Sequence, residues 1–370
     1  MTSLPETILQ FGSGRFLRAF ADLFIHQGNL QGQNVGRVVV VQSTGDGRAG
    51  GLNAQGGKYH VIVRGVENNA VVDRVEECAS ISRALHAGTQ WDEVLAVARS
   101  PHLTTILSNT TEAGFALDAA DVAADAPPRS FPAKLASALH ERWRAGGTPV
   151  AVIPCDLIEG NAGKLRAAVL GVAGTWNLPA GFADYVRSCY WQHTLVDRIV
   201  TGTPAAHELL AADPMAIVAE PFAFFVLEDV PGSPFALAHP ALVRTKDVTP
   251  YFLRKVRILN AAHTALLMKA VPRGFTLVRE AVEDPELGDW LRKLLFGEIV
   301  PALAGRIEKG EWFANQTLER FRNPFLDHKF ADIALHHASK VKVRLIPTRD
   351  EYVARFDREP PLLTELLAGS

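Results

Sequence analysis

Five short β-rich runs set the frame: "TILQF" (7–11), "RVVVVQ" (37–42), "YHVIVRG" (59–65), "LTTILSN" (103–109) and "PVAVIPCD" (149–156), alternating with amphipathic segments. Parallel strands need long crossovers, so this alternation predicts an α/β region built on a mostly parallel sheet. The chain has 370 residues, enough for two domains that each bury a core. "APPRSFP" (126–132) reads as a surface loop entering the helix of "AKLASALHERWRAG", whereas "EDVPGSPFALAHPALVRTKDVTP" (228–250), with four prolines, marks a change of character. Helical patterns follow it at about 250–271, 285–308, 316–321 and 329–339, with little β character. The division is placed near residue 240: residues 1–240 as the sheet domain and 241–370 as a mostly α-helical domain.

Charge and cysteine content remove several classes of function. With 38 basic and 40 acidic residues the net charge is -2, which gives no electrostatic footprint for nucleic acid or an anionic membrane. Cys78, Cys155 and Cys189 are an odd number, far apart and without a CxxC pair. Neither a disulfide framework nor a structural zinc site is expected, and a reducing cytoplasm fits. No stretch approaches the roughly 18 apolar residues of a membrane span, and "ILQF" is too short for a signal peptide.

In "ILQFGSGRFLRAFADLFIH" a strand runs into Gly12-Ser13-Gly14 and then into a helix with an apolar face of Phe16, Ala19, Phe20, Leu23 and Phe24. Gly12 permits the sharp turn, Gly14 lets backbone approach a pyrophosphate, and the helix start presents unpaired N–H groups to that anion. Arg15 and Arg18 can add full charge. The third glycine of the dinucleotide fingerprint falls on Leu17, so the motif is incomplete. At the end of the second strand, where a carboxylate ordinarily takes the adenosine ribose and selects NAD, the run is Gln42-Ser43-Thr44. Asp46 can serve from the loop, and Arg48 can equally meet a 2′-phosphate; NAD is preferred with NADP left open. Asn109, Thr110 and Thr111 follow another strand, where they face either the nicotinamide ribose or the cap of the next element.

"KVRILNAAH" (255–263) lies in a segment that opens with Thr249-Pro250 and stops at Pro272 and Gly274, and it reads as one helix of about six turns. On an ideal helix Asn260 and His263 fall about 140° and 80° from Lys255, so the three share one broad face. A lysine in apolar surroundings has its pKa depressed and becomes an acid–base group. Asn260 can hydrogen-bond an oxygen that gains charge, and His263 can hold a hydroxyl or orient the lysine. Any one of the three alone is as well explained by snorkelling or by packing.

With these residues in place, "KVRILNAAHTAL" resembles the catalytic segment of the polyol-specific long-chain dehydrogenases, the mannitol dehydrogenase family. "ILQFGSGRFLRAF", "SNTTEAG" (108–114), "IPCDLI" (153–158), "TLVDRIVTG" (194–202) and "RFRNPF" (320–325) occur in that family's order, so the likeness spans nearly the whole chain. It implies an amino-terminal Rossmann-type domain, a helical carboxy-terminal domain, metal-free hydride transfer with NAD, and a catalytic Lys255 assisted by Asn260 and His263. The implied cofactor contacts are Gly12, Ser13, Gly14, Arg15, Phe16, Gln42, Asn109 and Thr110. The family carries an oxygen-polarising asparagine where this chain has Leu157. That part is either vacant or passes to a neighbour such as Asn161, and the leucine points to the sugar-acid branch. The implied activity is interconversion of a keto-hexuronate and a hexonate (tagaturonate and altronate). Fructuronate, mannitol or mannitol 1-phosphate stand as alternatives, and a non-catalytic dinucleotide sensor as a rival of another class.

Asp197 and Arg198 are expected either near this small sugar-acid substrate or in a structural ion pair. Arg320, Arg322 and Asn323, with Lys340 and Arg344, concentrate positive charge in the helical half, where a guanidinium can take a sugar carboxylate in a bidentate fork. Asp332, His336 and His337 imitate a metal cluster, but adjacent helical positions diverge, so no metal is expected.

Overall fold

The structure is a computed structural model that describes residues 4–45, 47–110, 112–202 and 207–369; Asp46 and Thr111, both raised above as candidates, lie outside them. The chain forms two compact units, Met1–Val63 with Arg74–Ala219 and Ala223–Val248, and Arg64–Asp73 with Glu220–Phe222 and Thr249–Ser370. The proline-rich stretch stays with the first unit through Val248 because Leu242–Thr245 is a strand paired with Phe224–Glu228, itself antiparallel to Thr194–Asp197.

The first unit is built on a six-stranded parallel sheet: β1 (Glu6–Phe11), β2 (Arg37–Gln42), β3 (Ile81–His86), β4 (Thr105–Ser108), β5 (Ala151–Pro154) and β6 (Tyr190–Trp191), in spatial order β3-β2-β1-β4-β5-β6. The unbroken apolar character of "RVVVVQ" follows from burial on both faces. Val39 and Val41 join Leu9, Phe11, Ile106 and Val152 in one core, while Val38 and Val40 join Ile8, Leu107, Ala151 and Ile153 in the other. Successive residues pointing to opposite faces thus feed two cores. Because β1 lies between β2 and β4, the strand order reverses at its carboxyl end, the topological switch point where open α/β sheets bind ligands.

One strand departs from the sequence expectation. Tyr59–Glu67 does not enter the parallel sheet; it lies in a three-stranded sheet between Ile217–Ala219 and Ala70–Cys78. Asn68 and Asn69, both with positive φ (54° and 60°), make the tight turn that sends the chain back as a hairpin. The edge position in the parallel sheet goes instead to β3.

The second unit is helical around a core that includes Ile258, Leu259, Leu266, Leu291, Leu295, Phe313, Phe321, Leu345 and Leu363. The expected helix at 316–321 extends back to Gly310. That at 329–339 is broken into Phe330–Ala334 and His337–Arg344, with His336 in the left-handed region. Ile346–Phe356 and Pro361–Ala368 complete the unit.

Candidate active site

At the switch point of the first unit lies a cleft of about 500 Å³ lined by Gly12, Ser13 and Gly14 after β1, Ser43, Thr44 and Arg48 after β2, Asn109 and Thr110 after β4, and Arg129 to Lys134. The two turn glycines do different things. Gly12 has φ +126°, and a Cβ there would stand 2.8 Å from the Asn109 carbonyl oxygen, so the backbone requires glycine for its own close approach. A Cβ on Gly14 would meet nothing within 4 Å, which leaves bare backbone facing open space where a pyrophosphate fits. The helix after the turn is interrupted: Arg15–Arg18 is followed by a separate Ala21–Leu30. The reason is visible in two diverted carbonyls. The Tyr59 hydroxyl donates to the Arg18 oxygen at 2.7 Å, and Arg198 Nη1 donates to the Ala19 oxygen at 2.6 Å.

Several expected cofactor contacts are occupied otherwise. Gln42 is buried, its Oε1 accepting from the Ala49 N–H at 2.6 Å and its Nε2 donating to the Thr44 carbonyl, so it holds the following loop and helix together and turns away from a ribose. Arg18 is buried, with Nη1 donating to the Met215 carbonyl at 2.7 Å. Arg15 is exposed with its guanidinium lying over Gly202, and Phe16 stacks on Phe20 at 4.8 Å. Asn161 cannot replace the family asparagine. It is fully buried, its amide donating to the Pro154, Asp156 and Thr194 carbonyls and to Thr194 Oγ1, while its Oδ1 accepts from the Ala162 and Thr194 N–H groups. Arg198 and Asp197 are both buried, the latter on a strand opposite Phe224.

Asp156, in "IPCDLI", is a residue that sequence reasoning did not single out. Its carboxyl accepts from the Thr110 N–H and hydroxyl and from the Ser108 hydroxyl, fastening the β4 turn that lines the cleft. Burial raises its pKa to about 6 against the lowering effect of these bonds. Asn109 is pinned through its Nδ2 to the Cys155 carbonyl at 2.6 Å.

In the second unit the polar segment is not uniform α-helix. Thr249–Arg254 is α, Lys255–Asn260 is π, Ala261–Ala270 is α again, and Gly274 (φ +88°) ends the run. A π turn interrupts the ordinary i→i+4 ladder, and such turns concentrate at functional sites. Lys255 and Asn260 are half-buried at its two ends. His263, 9% exposed, has Nδ1 3.1 Å from the Leu259 carbonyl. A carbonyl only accepts, so Nδ1 carries the proton and Nε2 presents a bare lone pair, which has no hydrogen-bond partner among the described residues. Burial first, then His328, Arg320 and Arg344, hold the His263 pKa well below the ordinary histidine value. His328, whose ring lies edge-on 4.8 Å from that of His263, carried no recognisable sequence signal.

The basic residues divide sharply. Arg320 is buried and its fork is filled: Nε and Nη2 donate to Glu220 at 3.0 and 2.8 Å, and the guanidinium lies 4.3 Å from the centre of the Phe222 ring. It is therefore a structural ion pair and not a carboxylate receptor. Asn323 is buried, accepting from the Phe325 N–H and donating to the Arg64 carbonyl, and Arg322 is exposed beside Asn68 and Asn69 in a separate polar pocket. Lys340 donates to the Ile333 carbonyl. Arg344 differs from all of these. Its Nη1 donates to the Asn260 carbonyl and to Thr264 Oγ1, on the polar helix itself, and no carboxylate meets it among the described residues. Among these residues no three His, Cys, Asp or Glu side chains group as a metal site, and no helix is long and apolar enough to cross a membrane.

Residues 6–238 match the mannitol dehydrogenase Rossmann domain and 247–370 the mannitol dehydrogenase C-terminal domain. The chain belongs to the mannitol dehydrogenase family. Among its relatives, altronate oxidoreductase of Halalkalibacterium halodurans is 38% identical over 387 residues, covering 100% of this chain and 75% of that protein. Altronate oxidoreductase of Bacillus subtilis is 38% identical over 377 residues, covering 98% and 78%. A D-sorbitol dehydrogenase in substrate-free form shares the fold at a TM-score of 0.88 and 26% identity, covering 100% of this chain and 80% of its own. The Pseudomonas fluorescens mannitol 2-dehydrogenase, solved with NAD and D-mannitol, does so at 0.78 and 24%, covering 99% and 78%. The α/β unit with a parallel sheet and the helical unit are thus those of the family, and its members named here are oxidoreductases of small sugar-derived molecules.

Proposed function

We propose that this protein is an NAD(H)-dependent oxidoreductase that interconverts a keto-hexuronate and a hexonate, tagaturonate and altronate, in the reducing cytoplasm that suits three buried free thiols. The observation that carries the sugar-acid reading is Arg344, a half-buried guanidinium that no carboxylate meets among the described residues, anchored to the carbonyl of Asn260. Its unused donors match a sugar carboxylate. The altronate oxidoreductases among the relatives support the same substrate class.

A nicotinamide dinucleotide, when bound, would supply the hydride acceptor and donor, giving hydride to the carbonyl carbon in reduction and taking it from the carbinol carbon in oxidation. In the direction of reduction, Lys255 gives a proton to the substrate oxygen while the Asn260 amide donates a hydrogen bond to it, and in oxidation neutral Lys255 takes the proton back. His263, kept neutral and presenting Nε2 as acceptor, orients a neighbouring hydroxyl. Gly12, Ser13, Gly14, Asn109 and Thr110 hold the dinucleotide. The test is NADH consumption across tagaturonate, fructuronate, fructose and fructose 6-phosphate. Tagaturonate is expected to give the highest kcat/KM. A higher value for fructuronate moves the assignment within the sugar acids, and a higher value for fructose or the phosphorylated hexose overturns the sugar-acid reading.

A further inference from the structure

The turn between Asp121 and Lys134 is built with two buried charges that no helix cap requires. Asp121 and Lys134 are 7% and 5% exposed. They hold the backbone of one residue at both its polar groups: Asp121 Oδ1 accepts from the Arg129 N–H at 2.5 Å, and Lys134 Nζ donates to the Arg129 carbonyl at 2.6 Å. Asp121 also accepts from the Ser130 N–H at 3.1 Å, and its own carbonyl accepts from the Trp176 indole. Ser130 alone caps the helix Phe131–Arg144 through the Ala133 N–H. Burying a carboxylate and an ammonium costs several kcal/mol each before compensation, so a feature whose bonds converge on the backbone at residues 129 and 130 calls for a reason there.

Arg129 supplies it. Its side chain is exposed, and Arg129 lines the same cleft as the Gly12–Gly14 turn. No carboxylate meets it among the described residues, and Arg48, the other arginine lining the cleft, is half-buried at the start of the helix Arg48–Ala54. We propose that Arg129 is a cofactor-binding residue that takes the negatively charged pyrophosphate of the dinucleotide, and that Asp121 and Lys134 are positioning residues that hold its backbone at the cleft. This rests on the reading of the cleft as a dinucleotide site. Glycine-turn N–H groups and a guanidinium then share the anion.

The experiment is titration of the whole protein with NADH, followed by cofactor fluorescence, at low and high salt. Arg129→Ala is expected to raise Kd about tenfold at low salt and to flatten its salt dependence, since a lost phosphate contact removes a screened charge pair. Arg129→Lys should recover part of the loss. Lys134→Met should weaken binding in the native background and add little in the Arg129→Ala background, because it acts through the same guanidinium. An Arg129→Ala variant with native Kd and native salt dependence overturns the proposal, and does so while leaving the cleft assignment standing if Gly14→Val still abolishes binding. A native protein that binds neither NADH nor NADPH overturns the cofactor reading and this inference with it. Full additivity of Lys134→Met and Arg129→Ala overturns the positioning role.

Discussion

Replacing Arg344 by glutamine separates substrate recognition from folding. The arginine spends Nη1 on the Asn260 carbonyl and Thr264 Oγ1, and a glutamine amide can retain one of these bonds, so the stability cost is about 1 kcal/mol. What glutamine cannot supply is the charged fork. Truncating one partner of a desolvated charge pair costs 2–5 kcal/mol, and because Arg344 is only half-buried the lower part of that range applies, about 2–3 kcal/mol. That converts to roughly 30- to 150-fold in kcat/KM for a keto-uronate. The neutral ketose has no carboxylate and should change little, so the native preference of at least about a hundredfold should nearly vanish. Steady-state NADH consumption with matched uronate and ketose gives both numbers, and a thermal melt checks folding. Equal losses on both substrates, or an unchanged uronate kcat/KM, would refute the role. Arg320→Ala should behave in the opposite way. It removes the guanidinium that pairs the buried Glu220 carboxylate, which costs about 3–5 kcal/mol of stability and gives no selective effect on the acid.

Gly14→Val should sharply weaken NADH binding while leaving the melting temperature nearly unchanged, because its Cβ enters open cleft and touches no protein atom; NADPH belongs in the same titration, since Ser43, Thr44 and Arg48 line the place where a ribose carboxylate ligand was sought. The carboxyl of Asp22, fully buried beside Gln10, is raised by burial to about 7 from 3.8. A raised carboxyl stabilises the fold fully below its unfolded pKa and loses that contribution as pH rises through the folded value. Asp22→Asn should therefore gain stability relative to the native chain between pH 5 and 8 by about 2–3 kcal/mol, read by chemical denaturation; a pH-independent difference would show that Asp22 is ionised in the fold.

Local rules carried well where burial and chain direction coincide. The run of four valines in β2 could satisfy both faces of a parallel sheet, and the strand–glycine–helix turn could sit only at a sheet's carboxyl edge. Lys255, Asn260 and His263 were legible as a polar set within an apolar helix. Their π turn was not, because nothing in "KVRILN" distinguishes it from an α-helix. Partnering over long sequence distances was also hidden. Glu220 lies 100 residues before Arg320 and fills the fork that looked available, while Arg344, one of several cations in "SKVKVR", is met by no carboxylate among the described residues. Gln42 and Asn161 failed for the same reason: a polar side chain near a ligand edge in sequence can be consumed entirely by its own backbone surroundings. The strand at 59–67 left the main sheet because an Asn-Asn hairpin turn follows it, a signal present in the sequence and outweighed by the β-α alternation around it.

The account turns on Lys255 as the proton donor and acceptor for hydride transfer, and the most direct measurement is kcat of Lys255→Ala with keto-uronate and NADH, alongside its NADH Kd. The account predicts a fall of about 10²–10⁴-fold in kcat with Kd within about twofold of native, since the lysine acts on the substrate oxygen and not on the dinucleotide. Near-native turnover in a folded Lys255→Ala protein would contradict it.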